Sequence, residues 1–441
     1  MVPNLPPELK NLIVAHLEQI PNATERHSAL SSAALVSHHF RYQAHSHLFA
    51  NVILHSVYNG SPRHTLTHLQ VVGRRLRNLC QLIHADPDSE RTGIASHIKN
   101  FELTLQFSAL DDNTALPFIL RRLFKTGTSP CSLSLSFHKY QLHQDLIPAL
   151  QVVCRNPVLK TLRLSQCRGL PVDLLRHSSV RNIYFKQVSF LHSRPDHTAI
   201  LAGGETSPSD CEQFDSSEGV FSESIETDCT YSLKAILDWT PDSRIPSYFL
   251  FSKLKDITFC LDWTQQRVWD EATAITFAAG ALEQLKLELS KYSMLISPSR
   301  FTLRHLPLLH SVVLVPSEEL FSNDIAAEIG RVFHDDHLPP SLKNLQIHFH
   351  FIITHHWWRQ YENNDIFSQS ISLELDALLS DVKFCSLTSL IVRCNLKFLK
   401  GYRVGPSIEE QLLENARLSL ICKFPRAQAK YKFITFETII T

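Results

Sequence analysis

Histidine is the most chemically suggestive residue type in this sequence, with 24 copies among 441 residues. "HDDH" fills positions 334–337, "HFHF" positions 348–351, and "HH" positions 355–356. On an extended strand His348 and His350 project to one face, and two imidazoles joined by an acid such as Asp335 form a zinc-capable donor set. Zinc sites favour closer ligands and cysteine pairs, so His348, His350, His355 and His356 read as ordinary surface or core side chains. No metal and no cofactor is expected.

Other reactive patterns are missing. A P-loop needs glycines whose backbone amides cradle phosphate, followed by Lys and Ser or Thr, and no such run occurs. There is no G-x-S-x-G nucleophile elbow. The expectation is a non-enzymatic, binding protein. "HHWWRQYENND" places Trp357, Trp358, Arg359 and Tyr361 together, the residue types that dominate binding hot spots. They read as a substrate-contact patch or as a Trp pair filling the core beneath it. Arg74, Arg75 and Arg77 form the densest basic cluster, which a solvated helix face explains.

Bulk properties bound the partners. The 43 basic and 43 acidic residues cancel, leaving no net field to attract nucleic acid or an anionic membrane. A hydrophobic content of 44% with 26 Phe supports a substantial core, while only 12 Gly argues against a loop-rich phosphate-binding architecture. The ten cysteines include no C-x-x-C, which fits a reducing compartment. No charged-then-apolar leader opens the chain, and "ATAITFAAGAL" at 272–282 falls short of the roughly 18 residues a membrane span needs. A cytoplasmic or nuclear protein is expected. The glycosylation-like triplets at Asn22 and Asn59 read as chance matches.

The elements begin with "VPNLPPELKNLIVAHLEQI". Pro6 and Pro7 mark a helix start, since the first helical N–H groups have no intrahelical partner to lose. Leu9, Leu12, Ile13, Leu17 and Ile20 then recur at steps of three and four, an apolar face that needs a partner. From Ser28, the residues Leu30, Ala33, Ala34 and Val36 predict a second helix, and Phe40, Ala44, Leu48 and Phe49 a third. "NVILHSV" alternates like a strand, so the regime changes near Asn51.

These residues carry a resemblance. Leu5-Pro6-Pro7-Glu8-Leu9, Ile13 and Leu17, Ala34-Leu35-Val36-Ser37 with Phe40-Arg41, and His47-Leu48-Phe49 together resemble an F-box of the fungal type, over about residues 4–50. The resemblance implies docking on a Skp-type adaptor and, through it, a cullin-RING complex. It implies Leu5, Pro6, Leu9, Ile13, Leu17, Leu35, Val36 and Phe40 as adaptor-binding or hairpin-core positions. Phe40 stands where the family often has tryptophan, and the link "EQIPNATERHSALSS" reads as a long one.

The remainder repeats itself. Apolar-x-x-apolar-x-apolar occurs at Ile98/Phe101/Leu103, Leu159/Leu162/Leu164, Val180/Ile183/Phe185 and Leu254/Ile257/Phe259. It returns at Leu282/Leu285/Leu287, Leu309/Val312/Leu314, Leu342/Leu345/Ile347 and Leu387/Leu390/Val392. In a leucine-rich repeat the last two positions point inward from a short strand, and the first closes the preceding turn. Eight residues past the first leucine, Cys167 and Asn395 match that repeat's Cys/Asn position. "SLSLSF" and "YKFITFETII" are expected to add strands, the latter at the C-terminal edge, and "LPFILRRLF" and "IPALQVVC" helices.

One segment breaks the spacing. Residues 203–230 hold eight acids and no Lys or Arg among many Ser and Thr, a composition too polar to offset chain entropy, and so read as a disordered insertion. It reads as an acidic docking strip, as a phosphorylation target through Ser207, Ser209 or Ser222, or as a solvated loop.

The fold expected is α/β: a three-helix F-box over 1–50, then an irregular leucine-rich-repeat solenoid over 51–195 and 233–441, with the acidic insertion at 196–232 between them. The function implied is substrate recognition for an SCF-type (Skp-cullin-F-box) ubiquitin ligase, bridging a target protein to the adaptor. The alternative is a free-standing leucine-rich scaffold whose first helices merely cap the repeats.

Overall fold

Each of the eight apolar triplets ends on a parallel strand, and no triplet residue exceeds 6% exposure. The computed structural model describes residues 5–55, 65–84, 94–105, 115–124, 130–141, 145–175, 178–191, 222–238, 251–262, 266–290, 301–316, 329–330, 332–333, 338–353, 369–398, 406–431 and 434–440. They fall into two compact units, Met1–Val220 and Phe221–Thr441.

The first unit opens with α1 (Pro7–Glu18), α2 (Ala23–Val36) and α3 (His38–Leu48). Its strands β1 (Asn51–His55), β2 (Asn100–Leu105), β3 (Ser132–Gln141), β4 (Thr161–Pro171) and β5 (Asn182–Lys186) pair in chain order, all parallel. The short β6 (Ser189–Leu191) pairs with the far end of β4. Helices α4 (Thr65–His84), α5 (Ala115–Leu123) and α6 (Leu146–Cys154) lie between strands in sequence. In α4 the cluster Arg74, Arg75 and Arg77 is exposed while Val72, Leu76 and Leu79 are buried.

The second unit follows the same rule. Its strands β7 (Ser224–Thr227), β8 (Asp256–Asp262), β9 (Gln284–Ser290), β10 (Ser311–Val315), β11 (Asn344–Ile353), β12 (Ser389–Phe398) and β13 (Ile434–Ile440) pair in sequence, all parallel. Between them run α7 (Thr230–Asp238), α8 (Gln266–Ala278), α9 (Gln369–Leu379), α10 (Pro406–Lys423) and α11 (Pro425–Lys430). Parallel neighbours cannot be joined by a tight hairpin, so every strand needs a crossover. The result in each unit is an α/β, solenoid-like stack of strand-and-crossover repeats.

The triplet works as a local machine. The N–H of its first residue donates to the carbonyl three positions earlier: Ile98 to Ala95, Leu159 to Asn156, Leu254 to Phe251, Leu282 to Ala279, Leu309 to Leu306, Leu342 to Pro339 and Leu387 to Phe384. At Val180 the Ser178 hydroxyl takes that bond instead, at 3.1 Å. The following residue then offers one carbonyl to two successive N–H groups of the next repeat. Lys160 receives Arg181 and Asn182, Lys255 receives Glu283 and Gln284, and Lys343 receives Thr388 and Ser389. Register follows: Phe101, Leu133, Leu162 and Ile183 form one inward row, and Ile257, Leu285, Val312, Leu345 and Leu390 another. A strand displaced by one residue would turn its apolar row outward, so burial enforces the alignment.

Midway along β4 the chain turns aside through left-handed backbone at Gln166 (φ 56°), and just past β5 it does so at Gln187 (φ 52°). The two side-chain amides bond across the repeats at 3.2 Å. This turn sends Cys167 and Val188 inward, both at 0% exposure.

Four sequence expectations change. Residues 222–232 are not part of a disordered insertion: Ser224–Thr227 is a strand, α7 begins at Thr230, and Ser222 and Ile225 are each 1% exposed. Pairing of Ile225 with Ile257 outweighs the acidic composition. Burial also removes Ser222 as an accessible phosphorylation target, and residues 196–221, with Ser207 and Ser209, lie outside the described residues. The strands β3 and β7 are repeats that the triplet search passes over, because Pro130 or Ser222 stands at the first position and Thr227 at the third. The link between α1 and α2 is short, because α2 begins at Ala23 rather than near Ser28. Lastly, the helices of 1–50 belong to one unit with the first repeats, since β1 follows α3 directly and pairs with β2.

Candidate functional site

The N-terminal helices bury little of what makes them apolar. Pro6 is the N-cap of α1, Pro7 opens it, and Val14 is its buried residue at 1% exposure. At about 100° per residue, Leu12 and Leu9 stand roughly 160° and 140° around the helix from Val14. Leu5, Leu9, Leu12 and Ile13 are accordingly 44%, 48%, 57% and 39% exposed. Pro6 is exposed and Leu17 half-buried.

Asn22 sets the start of α2, its Oδ1 accepting from the N–H groups of Thr24 at 3.0 Å and Glu25 at 3.4 Å. The triplet that resembles a glycosylation acceptor is thus a helix N-cap. Ser37 alone separates α2 from α3, its extended backbone ending one helix and its hydroxyl accepting from the Phe40 N–H at 3.4 Å. The Arg41 Nε satisfies the Ala34 carbonyl at 3.2 Å. This sharp corner leaves Leu35 at 80% and Val36 at 69% exposure.

The module's own core is complete without these side chains. Val14, Leu30, Ala33 and Phe40 form it, with Leu17 and Leu48 packed against it. Phe40, at 7% exposure, is therefore a core residue and not an adaptor-facing one. Alanines at 33, 34 and 44 let the helices approach closely. His39 bonds Asn11 at 3.0 Å, tying the middle of α1 to the corner that carries Leu35 and Val36. His47 meets Glu18 at 3.0 Å. On its other side α3 meets the 3-10 turn Ile94–His97, where the Tyr42 ring lies edge-on to His97 at 4.7 Å. Burial, then the neighbouring Arg41 charge, pushes the His45 pKa down; burial and His45 do the same to His97.

The second candidate surface is the outward face of the strands, formed by the residues between the inward rows. In the second unit it carries polar side chains paired both across and along the strands, with the apolar Val313 and Ile391 among them. The Cys260 thiol donates to Glu288 at 3.1 Å, and Lys286 meets Glu288 at 2.6 Å. His348 bonds Gln346 at 3.0 Å, His350 bonds Asn395 at 3.1 Å, and the Arg393 Nε donates to Glu437 at 2.7 Å. Burial, reinforced by the Arg393 and Lys286 charges and His350, pushes His348 down to about 4. Burial pushes Glu288 up, but its bonds to Lys286 and Cys260 outweigh that and leave it below the usual carboxylate range.

His348 and His350 share a face, yet among the described residues no group of three His, Cys, Asp or Glu gathers to hold a metal ion. Asp335, His355, His356 and the proposed contact residues Trp357, Trp358, Arg359 and Tyr361 lie outside the described residues. Of the outward rows, sequence reasoning found only that His348 and His350 share a strand face, although the letters between the apolar positions of "LKLEL", "LQIHF" and "LIVRC" spell out more. Among the described residues no helix is long and apolar enough to cross a membrane. No family model matches the chain, and no curated protein sequence matches it.

Proposed function

We infer that this protein is the substrate-recognition subunit of an SCF-type ubiquitin ligase, with α1 and α2 engaging a Skp-type adaptor and the repeats receiving a target protein. The observation that supports this reading is the exposed set Leu5, Leu9, Leu12, Ile13, Leu35 and Val36 on helices whose core is already filled. Exposed apolar helix faces of this kind mark partner sites, because burying each such side chain is worth about 1.5–3 kcal/mol. The resemblance of residues 4–50 to an F-box names the partner. In such an assembly the chain needs no reactive side chain: holding a target beside a ubiquitin-charged enzyme raises its effective concentration.

The test is binding of the full chain to a purified Skp-type adaptor. Wild type should bind, and Leu9→Asp with Ile13→Asp should abolish binding while leaving the helical content unchanged. Indifference to the double change would favour the free-standing scaffold. The contact of Tyr42 with His97 supports that second reading, since it is the packing a capping helix would make. The two roles use different faces, and the adaptor experiment separates them.

A further inference from the structure

The neutral charge of the whole chain hides a local imbalance. The strands β3 to β6 and helix α6 contain no Asp or Glu; the acids that flank them are Asp145, at the N-cap of α6, and Asp173, just past β4. The same strands, with the residues just before β4 and β5, expose Lys160, Arg163, Arg168, Arg181 and Lys186. Register sets Arg163 opposite Tyr184 and Ser165 opposite Lys186 on one face of the sheet. The Arg163 guanidinium lies 4.3 Å from the Tyr184 ring centroid, so it is held in place by an aromatic face that leaves its charge unneutralised. On the next strand Ser134 and Ser136 stand opposite Arg163 and Ser165. Ser134 and Ser136 are short and partly exposed, so β3 presents hydroxyls beside the basic row. The carboxylate of Glu102, one strand beyond β3, faces His55 at 3.7 Å.

We propose that the outward face of β3 to β5 takes an acidic peptide segment of a partner protein, a run of Asp and Glu side chains laid along the Arg163–Lys186 row. This deepens the reading of the repeats as the target-receiving half and rests on it. Carboxylates two residues apart on an extended segment stand about 7 Å apart, and diagonal neighbours across strands are spaced by about 7–8 Å, so successive acids meet Arg163 and Lys186. Both contacts are charge-assisted, and the serine hydroxyls donate to the remaining carboxylate lone pairs. Single-stranded nucleic acid fits the face less well. It needs open aromatic platforms for its bases, and Tyr184 is already covered by Arg163.

The experiment is a fluorescence-anisotropy titration of the full chain against a labelled Glu-Ser repeat peptide of about twelve residues, with a Gln-Ser peptide and a single-stranded oligonucleotide of equal charge as comparisons, at about 0.05 and 0.15 M salt. The Glu-Ser peptide should bind at least tenfold more tightly than the Gln-Ser peptide, and more weakly as salt rises. Arg163→Glu with Lys186→Glu should weaken it at least tenfold while adaptor binding and the melting temperature stay unchanged. Lys160→Glu with Lys186→Glu gives the same reading without touching the Tyr184 contact. Equal binding of the two peptides, unchanged binding by both double variants, or tighter binding of the oligonucleotide would overturn the proposal. A chain that binds adaptor but not the Glu-Ser peptide refutes this surface alone; one that binds the peptide but not the adaptor refutes the ligase reading alone.

Discussion

The carboxylate of Asp376 on α9 caps a helix that begins some fifty residues later, accepting the Arg426 N–H at 3.1 Å and the Ala427 N–H at 2.8 Å. Phe424, the local N-cap of α11, makes no side-chain cap bond, so a distant residue supplies what the neighbouring sequence lacks. Asp376 is 1% exposed. Asp376→Ala leaves those two N–H groups without an acceptor at a cost of about 1–3 kcal/mol. Faster amide exchange across residues 425–431, read by mass spectrometry, is the expected outcome, with a smaller effect for Asp376→Asn.

Core and surface positions of the N-terminal helices should separate cleanly. Leu35→Asp with Val36→Asp changes side chains that are mostly in water, so the unfolding midpoint should stay put while adaptor binding is lost. Phe40→Ala removes a core ring at a cost of about 3–5 kcal/mol and should lower that midpoint. Denaturant unfolding beside an adaptor-binding assay distinguishes the two outcomes.

Thr227 occupies an inward repeat position opposite Phe259, at 1% exposure, and its hydroxyl accepts the Cys229 N–H at 2.9 Å. Thr227→Val keeps the shape and orphans that N–H, costing about 1–3 kcal/mol. Leu285→Ala, in the apolar row of the same sheet, should cost about 2–5 kcal/mol through the cavity it leaves. Thermal melts of both variants test the order.

Acid should destabilise the second unit through His348. Its folded pKa of about 4 lies below the ordinary 6.5, so between those values the unfolded chain binds the proton more readily. Stability is complete above pH 6.5 and falls as the pH drops towards 4. His348→Gln, beside Arg393, Lys286, His350 and Glu437, should flatten the fall in unfolding midpoint across that window.

Thiol reactivity should follow burial. Cys385 and Cys422 are exposed, whereas burial pushes the Cys154, Cys167 and Cys394 thiols up to about 12 and starves them of thiolate. Brief alkylation of the native protein at neutral pH should label the first pair and spare the other three until the chain is unfolded.

Repeats with three apolar letters were legible because each letter does one job: Leu159 closes its turn, and Leu162 and Leu164 face inward. Repeats with a polar letter were not. Thr227 is tolerated inside because the Cys229 N–H satisfies its oxygen, and no periodicity announces such a bond. The start of α2 was misplaced for a similar reason, since Asn22 acts as a cap only where the chain bends to present its oxygen to Thr24 and Glu25.

By itself the sequence determined the inward residues of the eight triplet repeats, because apolar periodicity is local. It also determined that Leu9, Ile13, Leu35 and Val36 are apolar, but not that they stay uncovered. That was decided by the direction in which Val14 anchors α1 and by the one-residue corner at Ser37. The basic row of Arg163 and Lys186, more than twenty residues apart in the chain, likewise exists only through the pairing of β4 with β5. Charges far apart in sequence become one surface when stacking brings their strands to within about 5 Å.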